Sequence, residues 1–456
     1  MKRICLFILL GLFTNILTSC SNDPLYTEDF SNNSDKLSGD VVEGRNLTLQ
    51  QAMNNLNFIA RNIDGKGPRR VESVDLLQVS DFSKSGLTTM SSSDAEGEVN
   101  QLAYVVNFAN NDGYAILGAD AEMPPVLALV EEGSFSTEDY LSFLQGSARN
   151  LLPESSEQQD DLQRLQYMMV TSAIVSAAAS LPGGTVVPIV TGRDTTVVLK
   201  CWPLVKTKWN QNNPYNYYAP IDPKTSTKSY AGCVPTAAAQ TLASLAYHQN
   251  FRPTAVISNT YTVDWEGIAQ EIFEGRTKYS SATTNALKVA SLIRAIGEYL
   301  DAEYSAVGTS AHTSDVVGLF SHLGLKDATY KTFSADDAFD MIVRKQLPLL
   351  TRATGESTIS GEVLSGHAFV LDGWLRLEYT YDRIPVGRPA QQCRNSLNLV
   401  HCNFGYSGRM DGYYVPGAFD LSHAKFDEYE DEGDSSKLPI SINYHLSVSD
   451  IIFNYQ

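Results

Sequence analysis

The alternation of apolar and polar positions predicts a mixed helix-and-strand unit in the first half of the chain. Apolar residues at helical spacing over residues 47–63 indicate an amphipathic helix. Two alternating runs, residues 102–108 and 114–117, flank Asn110-Asn111-Asp112-Gly113. Such a pair indicates a β-hairpin, because Asp-Gly readily takes the positive φ angles of a tight turn. Two more elements follow: a strand over residues 123–130 and a helix over residues 162–181.

The second half has helices first and strands afterwards. Strand-like sequence begins at residue 347, with turns indicated at Asp372-Gly373, at residues 403–408 and at Asp411-Gly412. This order predicts an α+β domain with two unlike lobes. The predicted helices cover residues 235–247, 284–300, 315–323 and 335–345.

Composition and charge narrow the classes of function. The 456 residues are 43% hydrophobic, 10% aromatic and 19% charged, which is typical of a globular protein with a large core. Lys and Arg number 34 against 52 Asp and Glu, so the net charge is −18. This balance argues against nucleic acid as a partner, since phosphates are bound by basic stripes. The six cysteines are too few for a disulfide scaffold, and the histidines lack metal-ligand spacing, so we expect neither a metal nor another cofactor.

The N-terminus predicts export. Lys2 and Arg3 precede an apolar run, and small residues follow, which together make residues 1–20 a signal peptide. Cys20 stands at the expected cleavage point, so the segment is similar to a bacterial lipoprotein signal in which Cys20 becomes the lipidated first residue. An ordinary signal with a chance cysteine is the alternative. Residues 21–44 have the polar composition of a tether.

No later stretch of the sequence is long and apolar enough to span a bilayer. We therefore expect an outer-membrane lipoprotein on the periplasmic or the surface face, or a mature enzyme released outside the cell.

The sequence around Cys233 indicates a reactive thiol. Pro235 and the Ala-rich run after it mark a helix start, which places Cys233 at or just before a helix N-terminus. Unpaired N–H groups and the positive end of the helix dipole stabilise a thiolate there. Gly232 would let a substrate chain approach closely. A lone cysteine is more often a buried structural residue, and only the other motifs favour the catalytic interpretation.

Two later segments supply candidate partners for this thiol. His367 follows Gly366 at the start of an apolar strand, where a structural histidine is the more common case. Yet 367 − 233 = 134, which is within the separation of papain-like Cys–His pairs. Asn403 begins a Gly-rich turn, and it is either a turn former or the residue whose amide oxygen orients the histidine ring.

These segments together resemble the streptopain family of secreted bacterial cysteine peptidases, which have a papain-like fold. The resemblance covers nearly all of residues 200–456, and residues 104–135 resemble the inhibitory propeptide of that family less specifically. It implies an α+β fold class with a papain-like two-lobe peptidase domain after a smaller α+β propeptide domain. The implied division is a signal peptide (1–20), a tether (21–44), the inhibitory propeptide (45–199) and the peptidase (200–456). The motifs that carry the resemblance are residues 210–216, Gly232-Cys233, residues 366–373, residues 403–408 and Asp411-Gly412.

The resemblance also implies a role for each matching residue. Cys233 would be the nucleophile and His367 the acid and base, with Asn403 orienting the ring. Gln211 would donate its side-chain N–H to the oxyanion alongside the backbone N–H of Cys233. The residues implied near the substrate cleft are Trp265, Gly232, Gly366 and Phe404.

One position departs from the family pattern. Phe404 stands where the family usually has Trp, and Tyr406 stands where a second Trp is common. The smaller Phe404 ring can still shield the His–Asn hydrogen bond from water, which indicates a tuned site rather than an inactive one.

The sequence thus predicts a lipid-anchored cysteine endopeptidase made as a zymogen, with protein or peptide substrates and its own propeptide as intramolecular inhibitor. The hairpin tip Asn110-Asn111-Asp112 would plug the substrate side of Cys233. Cleavage would fall in an exposed connector between about residues 185 and 205. The alternatives are an acyl transferase or amidase on the same fold, a catalytically weakened surface binding protein, and an N-terminal half that is a separate binding domain. Whether Cys393 and Cys402 pair is open at this point.

Overall fold

The computed structural model describes most of residues 41–456. The predicted signal peptide, the predicted lipidation site Cys20 and nearly all of the tether lie outside the described residues. None of the helices among the described residues combines the length and apolarity needed to cross a membrane. The described residues are 41–42, 46–53, 56, 59–60, 69–83, 101–144, 157–179, 189–326, 328–356, 363–383, 389, 391–419 and 447–452.

Helices and strands occur in both halves, which confirms the predicted α+β class. The strands are β1 (Val41–Val42), β2 (Val71–Gln78), β3 (Gln101–Phe108), β4 (Tyr114–Gly118), β5 (Ala128–Val130), β6 (Ile189–Cys201), β7 (Thr329–Thr332), β8 (Leu349–Glu356), β9 (Val363–Arg383), β10 (Gln391–Asn403), β11 (Gly412–Tyr414) and β12 (Ser447–Ile452). The α-helices are α1 (Leu49–Met53), α2 (Val79–Ser83), α3 (Thr137–Leu144), α4 (Glu157–Ala179), α5 (Cys233–His248), α6 (Trp265–Phe273), α7 (Thr284–Tyr299), α8 (Val316–His322) and α9 (Ala335–Phe339).

One sheet runs through both halves of the described chain. Its main path has the order β2-β3-β4-β5-β11-β10-β9-β8-β12-β7. The N-terminal and C-terminal parts join where β5 pairs antiparallel with β11, with Val130 opposite Gly412 and Ala128 opposite Tyr414. The C-terminal strands therefore continue directly into the N-terminal ones through a three-residue ladder.

The N-terminal half has its own apolar core, as its sequence pattern predicts. Along β3 every residue from Leu102 to Phe108 is buried, so both faces of this strand are covered. Aromatic rings of Phe135, Tyr140 and Tyr167 pack with centroids 5.2–5.4 Å apart beside the sheet. Helix α4 also contacts the C-terminal half, because the Ser172 hydroxyl donates to the backbone oxygen of Gly417 at 2.7 Å.

The predicted hairpin is confirmed as β3 and β4, although its turn differs in detail. The positive φ angles fall on Asn110 (62°), Asn111 (61°) and Gly113 (91°) rather than on Asp112. Gly113 is needed for a second reason, since a Cβ there would lie 2.7 Å from the backbone carbon of Val130. The hairpin therefore packs tightly on the end of β5.

The connector before the peptidase motifs is a strand rather than an exposed linker. Within β6, residues Asp194 to Cys201 pair antiparallel with Thr380 to Trp374 of β9. Cleavage inside this strand would require the ladder to open, so the expectation of an accessible connector is wrong over residues 189–201. The predicted boundary between residues 199 and 200 falls inside β6, and the division into domains stays a prediction.

The C-terminal half places one helix at the centre of the domain. The predicted helix at 235–247 is confirmed as α5, and all its residues from Val234 to Ala246 are buried. The predicted helix at 284–300 is α7, where the Thr283 hydroxyl caps the first turn by accepting from the Ala286 N–H at 3.3 Å. Helix α5 packs against α7 and also against β8 and β9, and β9 carries the next candidate site residues.

Candidate active site

Cys233 is the first residue of the buried helix α5. Gly232 immediately before it has φ 94°, a conformation that favours glycine, and a Cβ there would lie 2.9 Å from the Thr309 methyl group. Glycine at 232 is therefore required by the backbone and by Thr309, independently of any substrate. The helix start comes two residues earlier than Pro235, so the prediction that Cys233 lies at a helix N-terminus is confirmed.

The half-buried Cys233 thiol lies among backbone N–H groups. Burial raises its pKa, while hydrogen bonds from the Ala368 and Val234 N–H groups and the charge of Arg352 act in the opposite direction. Because burial prevails, the neutral thiol is favoured in this arrangement. The Ala368 contact brings the strand that carries His367 directly to the sulfur.

The ring of His367 is held by a backbone carbonyl. Its Nε2 lies 2.8 Å from the Phe404 carbonyl oxygen, and since a carbonyl only accepts, Nε2 carries the proton and Nδ1 keeps a lone pair. The ring stacks on Phe369 with centroids 6.2 Å apart, and Tyr406 lies 5.2 Å away. Burial lowers the pKa of His367 to about 4, against the Phe404 hydrogen bond, which raises it. His367 is therefore neutral here.

The side chain of Asn403 has partners other than His367 in this structure. Its Oδ1 accepts from Gln240 Nε2 at 2.9 Å and from the Gly405 N–H at 3.1 Å, while its Nδ2 donates to the Thr207 backbone oxygen at 2.8 Å. Asn403 thus joins helix α5, the turn after β10 and the segment before Gln211. The structure does not bring its amide to the ring, and an orienting role for Asn403 stays a prediction.

Gln211 is buried next to the segment that leads to Cys233. Its backbone oxygen accepts from the Ala231 N–H at 2.9 Å, two residues before Cys233. Among the described residues its side-chain Oε1 is buried without a hydrogen-bond partner, although the side chain is only 2% exposed. The unpartnered oxygen is an acceptor, whereas the oxyanion role implied by the sequence needs the Nε2 donor of the same amide, so this role stays a prediction.

The remaining cleft candidates lie at different depths. Phe404 is fully buried and stacks on Phe369 with centroids 4.9 Å apart, and its ring centroid lies 6.3 Å from that of His367, so its shielding role stays a prediction. Trp265 is the first residue of α6 and packs against Phe251 at 6.5 Å. Gly366 is half-buried in β9 before His367. Their places in a substrate cleft stay predictions.

A buried ionic cluster joins the two halves beside this site, and the sequence analysis missed it. Glu131, directly after β5, reaches Lys208 at 3.2 Å and His401 Nε2 at 3.3 Å. The other ring nitrogen of His401 lies 2.6 Å from Asp372. Lys208 also pairs with Glu132 at 2.8 Å. The available sequence signals were the Glu-Glu pair after a predicted strand and the Asp372-Gly373 pair. The turn predicted at Asp372-Gly373 is wrong, because both residues lie within strand β9.

The charges in this cluster stabilise one another. Burial disfavours the His401 cation, but Asp372 and Glu131 outweigh it and raise the pKa of His401 to about 10. Burial likewise disfavours the Glu131 carboxylate, but His401 and Lys208 lower its pKa to about 2. At neutral pH both groups are therefore charged, and Glu131 fixes the end of β5 to the C-terminal half.

The hairpin tip is not part of this junction. Asn110, Asn111 and Asp112 are exposed, and the described partners of Asp112 include Arg69 and Gly133 in the same half. The prediction that this tip plugs Cys233 is therefore wrong. The halves meet instead through the β5–β11 ladder, through Glu131 and through helix α4.

Comparison with known proteins assigns each half of the chain to a different protein family model. Residues 209–414 match the model of the Peptidase C10 family, and residues 45–150 match the model of the Spi protease inhibitor. The chain belongs to the peptidase C10 family. It is a cysteine protease made as a zymogen, which confirms the resemblance to streptopain and the presence of a propeptide.

Two solved structures are similar to this C10 peptidase. Active wild-type interpain A cysteine protease of Prevotella intermedia is 22% identical and covers 56% of this chain and 95% of its own, with TM-score 0.37. A prointerpain A fragment from the same organism, with a Cys-to-Ala substitution, is 19% identical and covers 84% of this chain and 100% of its own, with TM-score 0.44. No curated protein matches the chain.

The other cysteines of the C10 peptidase domain do not form the disulfide left open by the sequence. Cys393 and Cys402 are both free and lie on the single strand β10. Nine residues of extended strand separate them by about 30 Å, whereas a disulfide needs Cα atoms within about 7 Å. The described residues also contain no cluster of three or more His, Cys, Asp or Glu side chains suited to a metal ion.

Proposed function

We propose that this C10 zymogen is an exported endopeptidase, tethered through lipid on Cys20, whose Cys233 thiolate cuts internal peptide bonds of protein substrates. The observation that best supports the reaction is the position of Cys233 at the N-terminus of α5, with the N–H next to His367 directed at its sulfur. This arrangement gives the thiol stabilising backbone dipoles on one side and the base on the adjoining strand.

The reaction begins when the Cys233 proton passes to Nδ1 of His367. The thiolate attacks the substrate carbonyl carbon, a C–S bond forms, and the carbonyl π electrons move to the oxygen. The Cys233 N–H and the Gln211 side-chain amide donate to this oxyanion. His367 gives its Nδ1 proton to the leaving amine as the C–N bond breaks. Water then loses a proton to His367 and attacks the thioester carbon, which releases the acid and restores the thiolate.

Latency follows from the neutral state of both reacting groups. Burial raises the pKa of Cys233 and lowers that of His367, so both shifts act against the thiolate–imidazolium pair. The propeptide is held to the peptidase by the β5–β11 ladder and by Glu131. We infer that its removal is required before the ion pair becomes the favoured state.

The test is casein hydrolysis by purified residues 21–456, with and without a thiol-directed inhibitor. We expect hydrolysis after activation, its loss in Cys233→Ala and in His367→Ala, and alkylation that maps to Cys233. A Cys233→Ala protein that still hydrolyses casein would exclude Cys233 as nucleophile, and release of only terminal residues would exclude endopeptidase action.

The lipid anchor has a separate test. The small residues before Cys20 and the polar stretch after it support lipidation. We expect a labelled fatty acid to be incorporated by bacteria that express the wild-type chain and not by those that express Cys20→Ser. Equal labelling, or a mature N-terminus at a residue other than Cys20, would contradict the anchor without affecting the peptidase proposal.

A further inference from the structure

Two hydrogen bonds in series connect Asp411 with His367. Asp411 Oδ1 accepts from the Phe404 N–H at 2.8 Å, and the Phe404 carbonyl oxygen lies 2.8 Å from His367 Nε2. The Phe404 carbonyl thus accepts a hydrogen bond from His367, and the Phe404 N–H donates a hydrogen bond to the Asp411 carboxylate. Asp411 is only 1% exposed, so its carboxylate depends on protein groups rather than on water for its hydrogen bonds.

The turn between these residues depends on fixed contacts. Residues 404–411 include four positive φ angles, at Gly405, Ser407, Gly408 and Met410, which leave the turn with little intrinsic preference for one shape. The Asp411 N–H donates to the Gly408 oxygen at 3.3 Å, and the Asp411 carboxylate closes the turn at Phe404. The position of the Phe404 carbonyl is therefore set from both sides of this residue, by the carboxylate of Asp411 at the Phe404 N–H and by Asn403 Oδ1 at the Gly405 N–H.

The charges around Asp411 come from both halves of the chain. Burial, together with the carboxylate of Glu131, raises the pKa of Asp411 to about 7, while the Phe404 N–H, His401 and Lys208 favour its ionised form. The Glu131 N–H also donates to the backbone oxygen of Asp411 at 2.9 Å. Departure of Glu131 with the propeptide would remove one of the two causes that raise the pKa of Asp411, which favours its ionised form.

We propose that Asp411 is the positioning residue of the Cys–His pair: its ionised carboxylate holds the Phe404 peptide so that the carbonyl keeps the His367 Nε2 proton and leaves Nδ1 for Cys233. This inference rests on the proposed peptidase function. The N–H that Asp411 accepts from and the carbonyl that faces His367 belong to the two peptide groups on either side of the Phe404 Cα, so the carboxylate acts on the carbonyl by holding Phe404 in place, and its negative charge favours the imidazolium through space. No proton is transferred to or from Asp411 in the reaction.

The test compares Asp411→Ala, Asp411→Asn and the wild-type full chain after activation. Asp411→Ala loses acceptor and charge, so we expect kcat to fall about 10- to 100-fold with KM within about twofold. Because the Phe404 bond stabilises the imidazolium, the upper limb of the kcat/KM pH profile should move to lower pH by about 0.5–1 unit. Asp411→Asn keeps an acceptor oxygen without the charge, so it should retain more kcat and still move the limb downward.

Asp222→Asn is the matched control. Asp222 is also a buried carboxylate that accepts a backbone N–H, from Ala306 at 2.8 Å, but its described hydrogen bonds do not reach Phe404 or His367. We expect this variant to lower stability without moving the upper limb. An Asp411→Asn enzyme with the wild-type limb overturns the proposal even if Asp411→Ala does not fold. A wild-type chain without casein hydrolysis refutes the peptidase function instead.

Discussion

Substitution of Gly412 by Ala should weaken the binding of the propeptide to the peptidase without altering the side chains of Cys233 and His367. Gly412 lies in β11 opposite Val130, and an added Cβ would lie 2.7 Å from the Val130 Cα and 3.1 Å from the Leu129 carbonyl carbon. Both neighbours are backbone atoms of β5, so the strain cannot be relieved by a side-chain rotation. The φ angle of Gly412 is outside the positive range, and alanine is therefore acceptable once β5 has left.

The size of the effect follows from the clash and from the short ladder. Overpacking of this kind costs about 1–3 kcal/mol, and each 1.4 kcal/mol corresponds to a factor of ten in binding. We therefore expect inhibition by the propeptide to weaken about 10- to 100-fold, because the three-residue ladder must separate to admit the methyl group.

The assay adds purified residues 45–180 to the mature enzyme and measures the inhibition constant on a peptide substrate. This fragment omits β6, which pairs with β9 and belongs to the peptidase sheet. Gly318→Ala in α8 is the matched control, since a Cβ there meets nothing within 4 Å. Wild-type inhibition of the Gly412→Ala enzyme would refute the β5–β11 ladder as the inhibitory contact, and lost activity would show that Gly412 serves the mature site.

Three further predictions follow. Asn403→Ala should lower kcat less than His367→Ala does. It should also lower the urea midpoint of unfolding, because it leaves three buried hydrogen-bonding groups without their Asn403 partner. A fully stable Asn403→Ala protein would contradict the contacts described. Inhibition by the propeptide should weaken as pH falls from 4.5 towards 2, where Glu131 is protonated, and as pH rises towards about 10, where His401, whose pKa Asp372 raises in the free peptidase too, loses the charge that pairs with Glu131. Inhibition constants measured across this range should depend less on pH in Glu131→Gln, in which Glu132 still pairs with Lys208, and an unchanged profile would exclude the Glu131–His401 ion pair. Alkylation followed by mass mapping should label half-buried Cys393 before buried Cys402, whose pKa burial raises, and a disulfide between them would contradict the strand assignment.

The sequence predicted the parts of the site that depend on local signals. Proline and alanine after Cys233 indicate a helix start, and the structure places the thiol at the first residue of α5. The apolar run after His367 indicates a strand, which is β9. In both cases the residues that determine the element lie within about ten positions of the functional side chain, so periodicity and capping residues are sufficient.

The contacts between the N-terminal and C-terminal halves could not be predicted from local sequence signals. The ladder joins Val130 to Gly412, which are far apart in sequence, and three residues carry too little pattern to indicate a partner strand. The hairpin tip looked like the plug because short polar residues suit a cleft, but the same residues are also typical of an exposed turn. The exposed turn is what the structure contains.

Asn403 illustrates why a residue type leaves two roles open. An amide at the start of a Gly-rich turn can close the turn or orient a ring, and both need the same acceptor oxygen. In this structure Oδ1 accepts from the Gly405 N–H and from Gln240, which closes the turn and secures it to α5. Which role prevails depends on where the His367 ring lies, and this is set by contacts remote in sequence.

The turn after β10 is the physical link between latency and catalysis. Its carbonyl at Phe404 holds His367, and its far end at Asp411 receives the N–H of Glu131 from the propeptide. Burial is the largest cause of the pKa shifts of both Cys233 and His367, so activation has to change the surroundings of both groups together. A strand that binds the end of this turn can oppose that change without occupying the substrate side of the thiol. Inhibition by sheet extension therefore needs no plug, and the exposed hairpin tip is consistent with a latent enzyme.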